Sequence, residues 1–169
     1  MSRLPHALHR WLTQRPIGKA LERAPDFVIG GNDNPYLRRW FIVPRNRIFN
    51  VYVHQFLRSD DDRALHCHPW ANLSVLLQGG YLEHTIAAGG IERKELLWAG
   101  DCRFRRSGKM AHRIELMNGA HGLKPCWTLF ITGPRYRSWG FHCPQRGWVR
   151  WDEFTAPEDS GGVGKGCNA

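Results

Sequence analysis

At 169 residues, 42% of them hydrophobic, the chain has the length of an ordinary single domain and can bury a substantial core. No apolar run approaches the roughly 20 residues that span a bilayer, and no apolar leader opens the sequence, so a soluble cytoplasmic protein is expected and a membrane protein is not. The formal charge of +9 raises nucleic acid as a partner, since clustered Lys and Arg exchange condensed counterions for phosphate contacts; here the basic residues are dispersed and no helix-turn-helix, zinc-finger or RNA-recognition signature accompanies them.

Over residues 4–24, Leu8, Leu12, Ile17 and Leu21 recur near helical spacing with an interruption at Pro16, which predicts one or two short helices. Leu8, Trp11 and Leu12 are expected to pack this piece against the β domain, a reading favoured over adsorption to a membrane surface. The run Gly30-Gly31-Asn32-Asp33-Asn34-Pro35 is dense in turn formers and marks the start of the sheet. Strands are then predicted at about 37–43, 49–57, 64–68, 72–78, 81–86, 93–98, 102–105, 111–115, 127–132 and 139–142. Short strands separated by Gly-rich turns such as Gln78-Gly79-Gly80 and Ala88-Gly89-Gly90 indicate an all-β sandwich or barrel, not βαβ units. The Gly-rich stretch 160–166 has little to bury and is expected to be disordered, which divides the chain into a helical flap (1–30), a β domain (31–156) and a tail (157–169). The five cysteines form no C-x-x-C pair and are read as reduced thiols.

The most informative residues are His66-Cys67-His68, with a third histidine at His112. Side chains alternate faces along a strand, so His66 and His68 point the same way about 7 Å apart, with Cys67 turned away. Taken alone, an H-x-H is as well an ordinary core or surface pair. A third imidazole from a neighbouring strand would complete a site for a divalent transition metal.

Gly79 follows His66-x-His68, and Gly100 and Gly108 precede His112, at intervals that resemble the two sequence blocks of the cupin superfamily, roughly G-x5-H-x-H-x3or4-E-x6-G and G-x5-P-x-G-x2-H-x3-N. The resemblance covers roughly residues 52–143 and implies a double-stranded β-helix, or jelly roll, behind a short helical start. The second block fits with a one-residue slip before His112, and the chain departs from the pattern at three places: Asn72 (or Leu73) occupies the position of the family's metal-binding glutamate, Arg106 stands where proline is common, and Leu116 replaces the final asparagine. The closing run from Thr132 to Pro144, with Trp139-Gly140-Phe141-His142, is also similar to the end of small cupin-like proteins, some of them phage-encoded, that share the H-x-H-P-W run.

With His66, His68 and His112 as ligands, a metal keeps open positions, which suits Lewis-acid or oxygen chemistry better than a closed structural role. Asn72 has the parity to add its amide oxygen as a weak fourth ligand or as a hydrogen-bond acceptor near the ligands. Three-histidine cupin relatives make ferrous iron the leading metal by resemblance, and zinc, manganese and nickel also accept imidazole. His54, which shares a strand face with Tyr52 and Phe56, and His142 are candidate proton handlers, each with a packing role as the alternative. Tyr52, Trp70 and Trp127, together with Leu129 and Ile131, are read as pocket wall or as barrel core. Arginines at the barrel mouth would attract an anionic ligand. The expected function is a metal-dependent oxygenase or isomerase acting on a small molecule, with a non-catalytic binding module for a small ligand, nucleic acid or protein as the alternative. A homodimer is expected, because jelly rolls leave edges that need cover.

Overall fold

Alternation along the predicted strands gives each a buried face and, where a second layer covers the sheet, two. The computed structural model describes residues 2–60, 64–120, 122–156 and 164–167, and there both faces of the larger sheet are covered. In chain order the elements are β1 (Ser2–Arg3), α1 (His6–Leu21), β2 (Phe27–Ile29), β3 (Leu37–Phe41), β4 (Asn50–Phe56), β5 (Leu65–His66), β6 (Asn72–Gln78), β7 (Gly80–Ile86), β8 (Glu92–Trp98), β9 (Asp101–Arg105), β10 (His112–Leu116), β11 (Asn118–Gly119), β12 (Gly122–Leu123), β13 (Cys126–Thr132), β14 (Gly140–Cys143), β15 (Gly147–Arg150) and α2 (Trp151–Phe154). Two antiparallel sheets face each other, one in the order β1-β9-β6-β13-β4-β3-β2 and the other β15-β14-β5-β10-β7-β8, with β11-β12 as a small hairpin. From β4 onward the chain passes back and forth between the two sheets, the winding of a double-stranded β-helix.

The outer face of the larger sheet packs under α1. Trp40, Val53, Val75, Leu77, Trp127 and Leu129 meet Ile17 and Ala20 of the helix, with Leu12 partly buried beside them. The Trp40 and Trp127 rings stack at 5.5 Å, worth about 0.5–1.5 kcal/mol beyond their buried area. Helix α1 runs unbroken through Pro16, although a proline forfeits one backbone hydrogen bond. Tertiary bonds compensate: His9 Nε2 lies 3.1 and 3.0 Å from the Leu76 and Leu77 carbonyls, and Thr13 Oγ1 donates to Leu77 O at 3.0 Å. Contrary to the sequence reading, Leu8 and Trp11 stay exposed, because the buried stripe is Leu12, Ile17 and Ala20.

Between the sheets, Leu37, Phe56, Leu76, Tyr81, Leu97, Ile114, Leu116 and Cys126 fill one end of the barrel. Two glycines of the sequence pattern have steric reasons. Gly79 adopts φ +79° in the tight β6–β7 turn, where a Cβ would also come within 2.8 Å of the Pro125 carbonyl. At Gly108 a side chain would collide with the His68 carbonyl; without one, Gly108 O accepts from His68 N–H at 2.9 Å and the loop after β9 closes on the H-x-H segment.

The ten predicted strands are all present within a few residues. β1, β2, β11, β12, β15 and α2 were not foreseen, since elements of two to four residues carry too little periodicity to read. β2 pairs with β3 from within the segment assigned to the helical flap. The reduced-thiol reading is corrected at two positions: Cys143 and Cys167 form a disulfide across 24 residues, while Cys67, Cys102 and Cys126 are free and buried. Part of the tail is thereby ordered. Gly164 and Gly166 donate backbone N–H to Phe154 O, Arg146 binds Gly166 O, and Cys167 packs on a small cluster of Ala64, Cys143, Val149 and Phe154. The rest of the tail expectation, 157–163 and 168–169, falls outside the described residues. Among the described residues no helix is long and apolar enough to cross a membrane.

Non-reducing peptide mapping should find Cys143 and Cys167 in one cross-linked fragment. Cys167→Ser should lower the urea-unfolding free energy by about 2–4 kcal/mol, the usual worth of closing a loop of this length.

Candidate metal centre

β5 lies between β14 and β10 in the second sheet, and His66 stands directly opposite His112 on one side and Phe141 on the other. His68, just past the end of β5, keeps the same face while Cys67 turns away to accept from Gly140 N–H and Arg137. The ring centroids lie 4.6 Å apart for His66–His112 and 5.2 Å for both His66–His68 and His68–His112. One nitrogen from each ring lies within 4.8 Å of the others, and His68 Nε2 and His112 Nε2 are 3.0 Å apart. Two nitrogens bound to one ion at about 2.1 Å and near right angles would stand about 3 Å apart, so the donor set fits a single transition metal.

The surroundings prepare these rings as neutral ligands. His112 Nδ1 lies 2.9 Å from Glu83 Oε1 and 3.1 Å from Arg105 Nη2. Only the Arg105 contact has hydrogen-bond geometry; a guanidinium only donates, so Nδ1 accepts from Arg105 while the Glu83 carboxylate stands beside it as an ionic neighbour. Glu83 and Arg105, each about 2% exposed, form a buried ion pair, and Arg103 Nε stands 2.8 Å from Glu83 Oε2 without hydrogen-bond alignment. His66 Nδ1 is 3.6 Å from Asp60 Oδ2; that carboxylate is fixed by the Tyr36 hydroxyl and by Ile114 N–H at 2.6 Å. Burial pushes His68 and His112 well below the usual imidazole range. The neighbouring His66 charge adds to this at His68, and the Arg105 guanidinium at His112. Burial also lowers His66, opposed in part by Asp60.

The three histidines line a cavity of about 780 Å³ between the sheets, whose walls include Phe56, Phe130, Trp139 and Phe141. Asn72 is buried on β6, yet its amide oxygen faces Arg105 Nη1 at 3.4 Å and its amide nitrogen has no partner among the described residues. The structure thus engages Asn72 with the guanidinium beside the cluster. His54 lines the cavity, stacked 5.8 Å from Tyr52 and 5.2 Å from Phe130. Its Nε2 accepts from Arg39 Nε at 2.9 Å, and burial, then the Arg39 charge, holds it well below the ordinary range. His142 is not brought to the site: on β14 Phe141 faces the cavity, so His142 faces outward, opposite Trp148. Trp70 lines the cavity and Tyr52 a recess at its mouth. Trp127, Leu129 and Ile131 are corrected: they occupy the outer face under α1, and the cavity face of β13 belongs to Thr128 and Phe130. Both faces of β13 are buried, so the apolar alternation did not mark the side of the cavity. Sequence reasoning passed over Glu83, Arg105 and Asp60 as parts of the site. Glu83 carried one signal, the inward parity it shares with Tyr81 on β7.

The strand winding and this cluster define a cupin-fold protein with three convergent histidines. No protein-family model matches the chain, and no curated protein matches it. Among solved structures it is similar to the Fe(II) form of HppE with the alternative substrate (S)-1-HPP, at 19% identity and TM-score 0.47 over 65% of this chain and 58% of that one. It is similar as well to a conserved protein with a double-stranded beta-helix domain from Klebsiella pneumoniae, at 18% identity and TM-score 0.47 over 69% of this chain and 90% of that one. A third similar structure is oxalate decarboxylase from Bacillus subtilis, studied for its Mn(II) centres, at 19% identity and TM-score 0.48 over 70% of this chain and 30% of that one. The chain therefore spans little more than half of HppE and under a third of oxalate decarboxylase. At these identities and TM-scores the likenesses carry no assignment; the assignment rests on the strand order.

In chelator-treated protein, the three depressed imidazoles predict acid destabilisation with a definite sign. Unfolded histidines take up protons near pH 6.5 while the folded ones remain neutral, so stability is full above that value and lost as pH falls toward the folded values. Urea unfolding between pH 8 and 5 should show a loss of about 1.4 kcal/mol per pH unit for each imidazole that lags, and His112→Gln should flatten the slope.

Proposed function

We propose that this chain is a metal-dependent enzyme of the cupin fold, an oxygenase or isomerase acting on a small molecule, with His66, His68 and His112 holding a divalent transition metal and ferrous iron the first choice. The observation that carries the reading is the convergence of three neutral imidazoles on the wall of a large cavity, not in a closed shell. When bound there, the metal would supply Lewis-acid polarisation or oxygen activation at the positions the imidazoles leave open. The chain's own residues do the rest. Arg105 donates to Nδ1 of His112 and neutralises Glu83, which stands 2.9 Å from the same nitrogen, and Asp60 stands by Nδ1 of His66. Phe130 and Phe141 set apolar rings beside His68 and His66.

One observation favours a second reading, a binding module without a reaction. Of the two histidines considered as proton handlers, His54 has its Nε2 committed to Arg39 and His142 faces away from the cavity. A catalytic proton would then have to move through solvent or through the substrate itself.

Elemental analysis of tag-free protein should find near-stoichiometric metal in the wild type and none in His66→Ala or His112→Ala. Glu83→Gln should weaken metal affinity by about 10- to 100-fold, the usual effect of altering the polar neighbours behind a ligating histidine. Wild-type protein that takes up no metal after anaerobic reconstitution with ferrous iron would sink the enzyme reading and leave the binding module.

A further inference from the structure

At its mouth the cavity continues into a recess of about 500 Å³ lined by Arg39, Arg45, Arg47 and Arg135 with Tyr52 and Trp70. Arg39, Arg45, Arg135 and Trp70 line the main cavity as well. The arginine ion pairs of the described residues use Arg3, Arg23, Arg103, Arg105, Arg113 and Arg150, and none of the four mouth arginines is in one. Like charges are thus gathered at the opening of the chamber, and among the described residues none of them is paired with a carboxylate, although Asp60 and Asp152 line the main cavity.

Arg39 is the ordered member. Its Nε donates to His54 Nε2 at 2.9 Å, and its guanidinium lies over the Tyr52 ring at 4.9 Å. Two contacts fix the plane of the fork, and Nη1 and Nη2 have no acceptor among the described residues. Burial, with the Arg45 charge among the lesser causes, lowers its proton affinity, and its field in turn reaches His68. Two further groups lack partners among the described residues: the Thr128 hydroxyl in the cavity wall, 1% exposed, and the buried Trp70 indole N–H at the mouth. Buried polar groups in native proteins are ordinarily satisfied, and a planar guanidinium with two free N–H edges matches an oxyanion.

We propose that Arg39, held by His54 and supported by Arg45 and Arg135, is the anion subsite of this cavity, and that the substrate is a small organic acid. Its carboxylate or phosphate sits on Arg39 at the mouth, and its apolar body lies along Phe130 and Phe141 toward the three histidines. His54 is then a positioning residue, acting through Arg39. Naming this ligand as substrate rests on the enzyme reading above; capture of the anion does not.

The test uses the full chain, metal-free after chelation, titrated with benzoate, phenyl phosphate and the neutral benzamide, with tryptophan fluorescence as the readout because Trp70 and Trp139 line the cavity. At least one anion should bind on the order of 10- to 100-fold more tightly than benzamide, the range that charge-assisted hydrogen bonds supply, and the tighter of the two identifies carboxylate or phosphate. Arg39→Gln should abolish that preference, and Arg39→Lys should keep only part of it. His54→Gln, which retains an acceptor for Arg39 Nε, should bind more tightly than His54→Leu. Arg106→Gln, exposed and outside the cavity, should bind like wild type. Arg45→Gln with Arg135→Gln should weaken anion binding without loss of fold, which keeps the test decisive if the Arg39 variants are unstable. Benzamide binding as tightly as both anions, or an anion preference unchanged by Arg39→Gln and by the Arg45/Arg135 pair, would overturn the proposal. Anion binding in a protein that takes up no metal would overturn the enzyme reading alone; metal uptake without anion preference would overturn the subsite alone.

Discussion

The arrangement depends on a charge taken out of water. Glu83 comes from β7 of one sheet and Arg105 from β9 of the other, so their buried pair ties the two layers together beside the cavity. Removing one partner of such a pair typically costs about 3–5 kcal/mol, because the other is left buried and uncompensated. The same pair reaches His112 through Nδ1 and Asn72 through its amide oxygen. A site with three imidazoles in a sandwich hollowed by a large cavity lacks the apolar packing that would otherwise fix it. A polar clamp with definite geometry takes that place.

Two electrostatic zones follow along the cavity. Around the histidines, positive charge is matched by Glu83 and Asp60, and burial keeps the rings neutral. At the mouth, guanidinium groups gather without a carboxylate partner among the described residues. An anion entering there meets attraction before it meets the histidines, and its apolar portion meets Phe130 and Phe141 beyond. Clefts lined by one sign of charge with low-dielectric walls concentrate ligands of the opposite sign. The chain's net charge of +9 thus has a local expression in the arginines that face the cavity, whatever the remaining basic residues do.

Much of this was legible in the residues. The period-2 rule put His66 and His68 on one face, and the resemblance to the cupin blocks implied His112 on a neighbouring strand; the register His66 opposite His112 realises both. What stayed hidden came from contacts between strands distant in sequence. Glu83 and Arg105 look like ordinary strand charges until β7 and β9 are brought face to face. Alternation told that Trp127 and Thr128 point opposite ways, and the polar partner faces the cavity because α1 covers the other side. No spacing announced Cys143–Cys167, since the turn that delivers Cys167 is fixed by its backbone bonds to Phe154.

Proton economy is where the two functional readings part. A general acid or base must reach the reacting atom with a free lone pair or a transferable proton. His54 lines the cavity, but its acceptor nitrogen is taken by Arg39, and protonating it would set a second positive charge against that guanidinium. The same contact that disqualifies His54 as a proton carrier makes it useful for holding Arg39 in one orientation. Under the enzyme reading, the histidine cluster would act on a substrate held by its charge, with neither His54 nor His142 placed to exchange a proton.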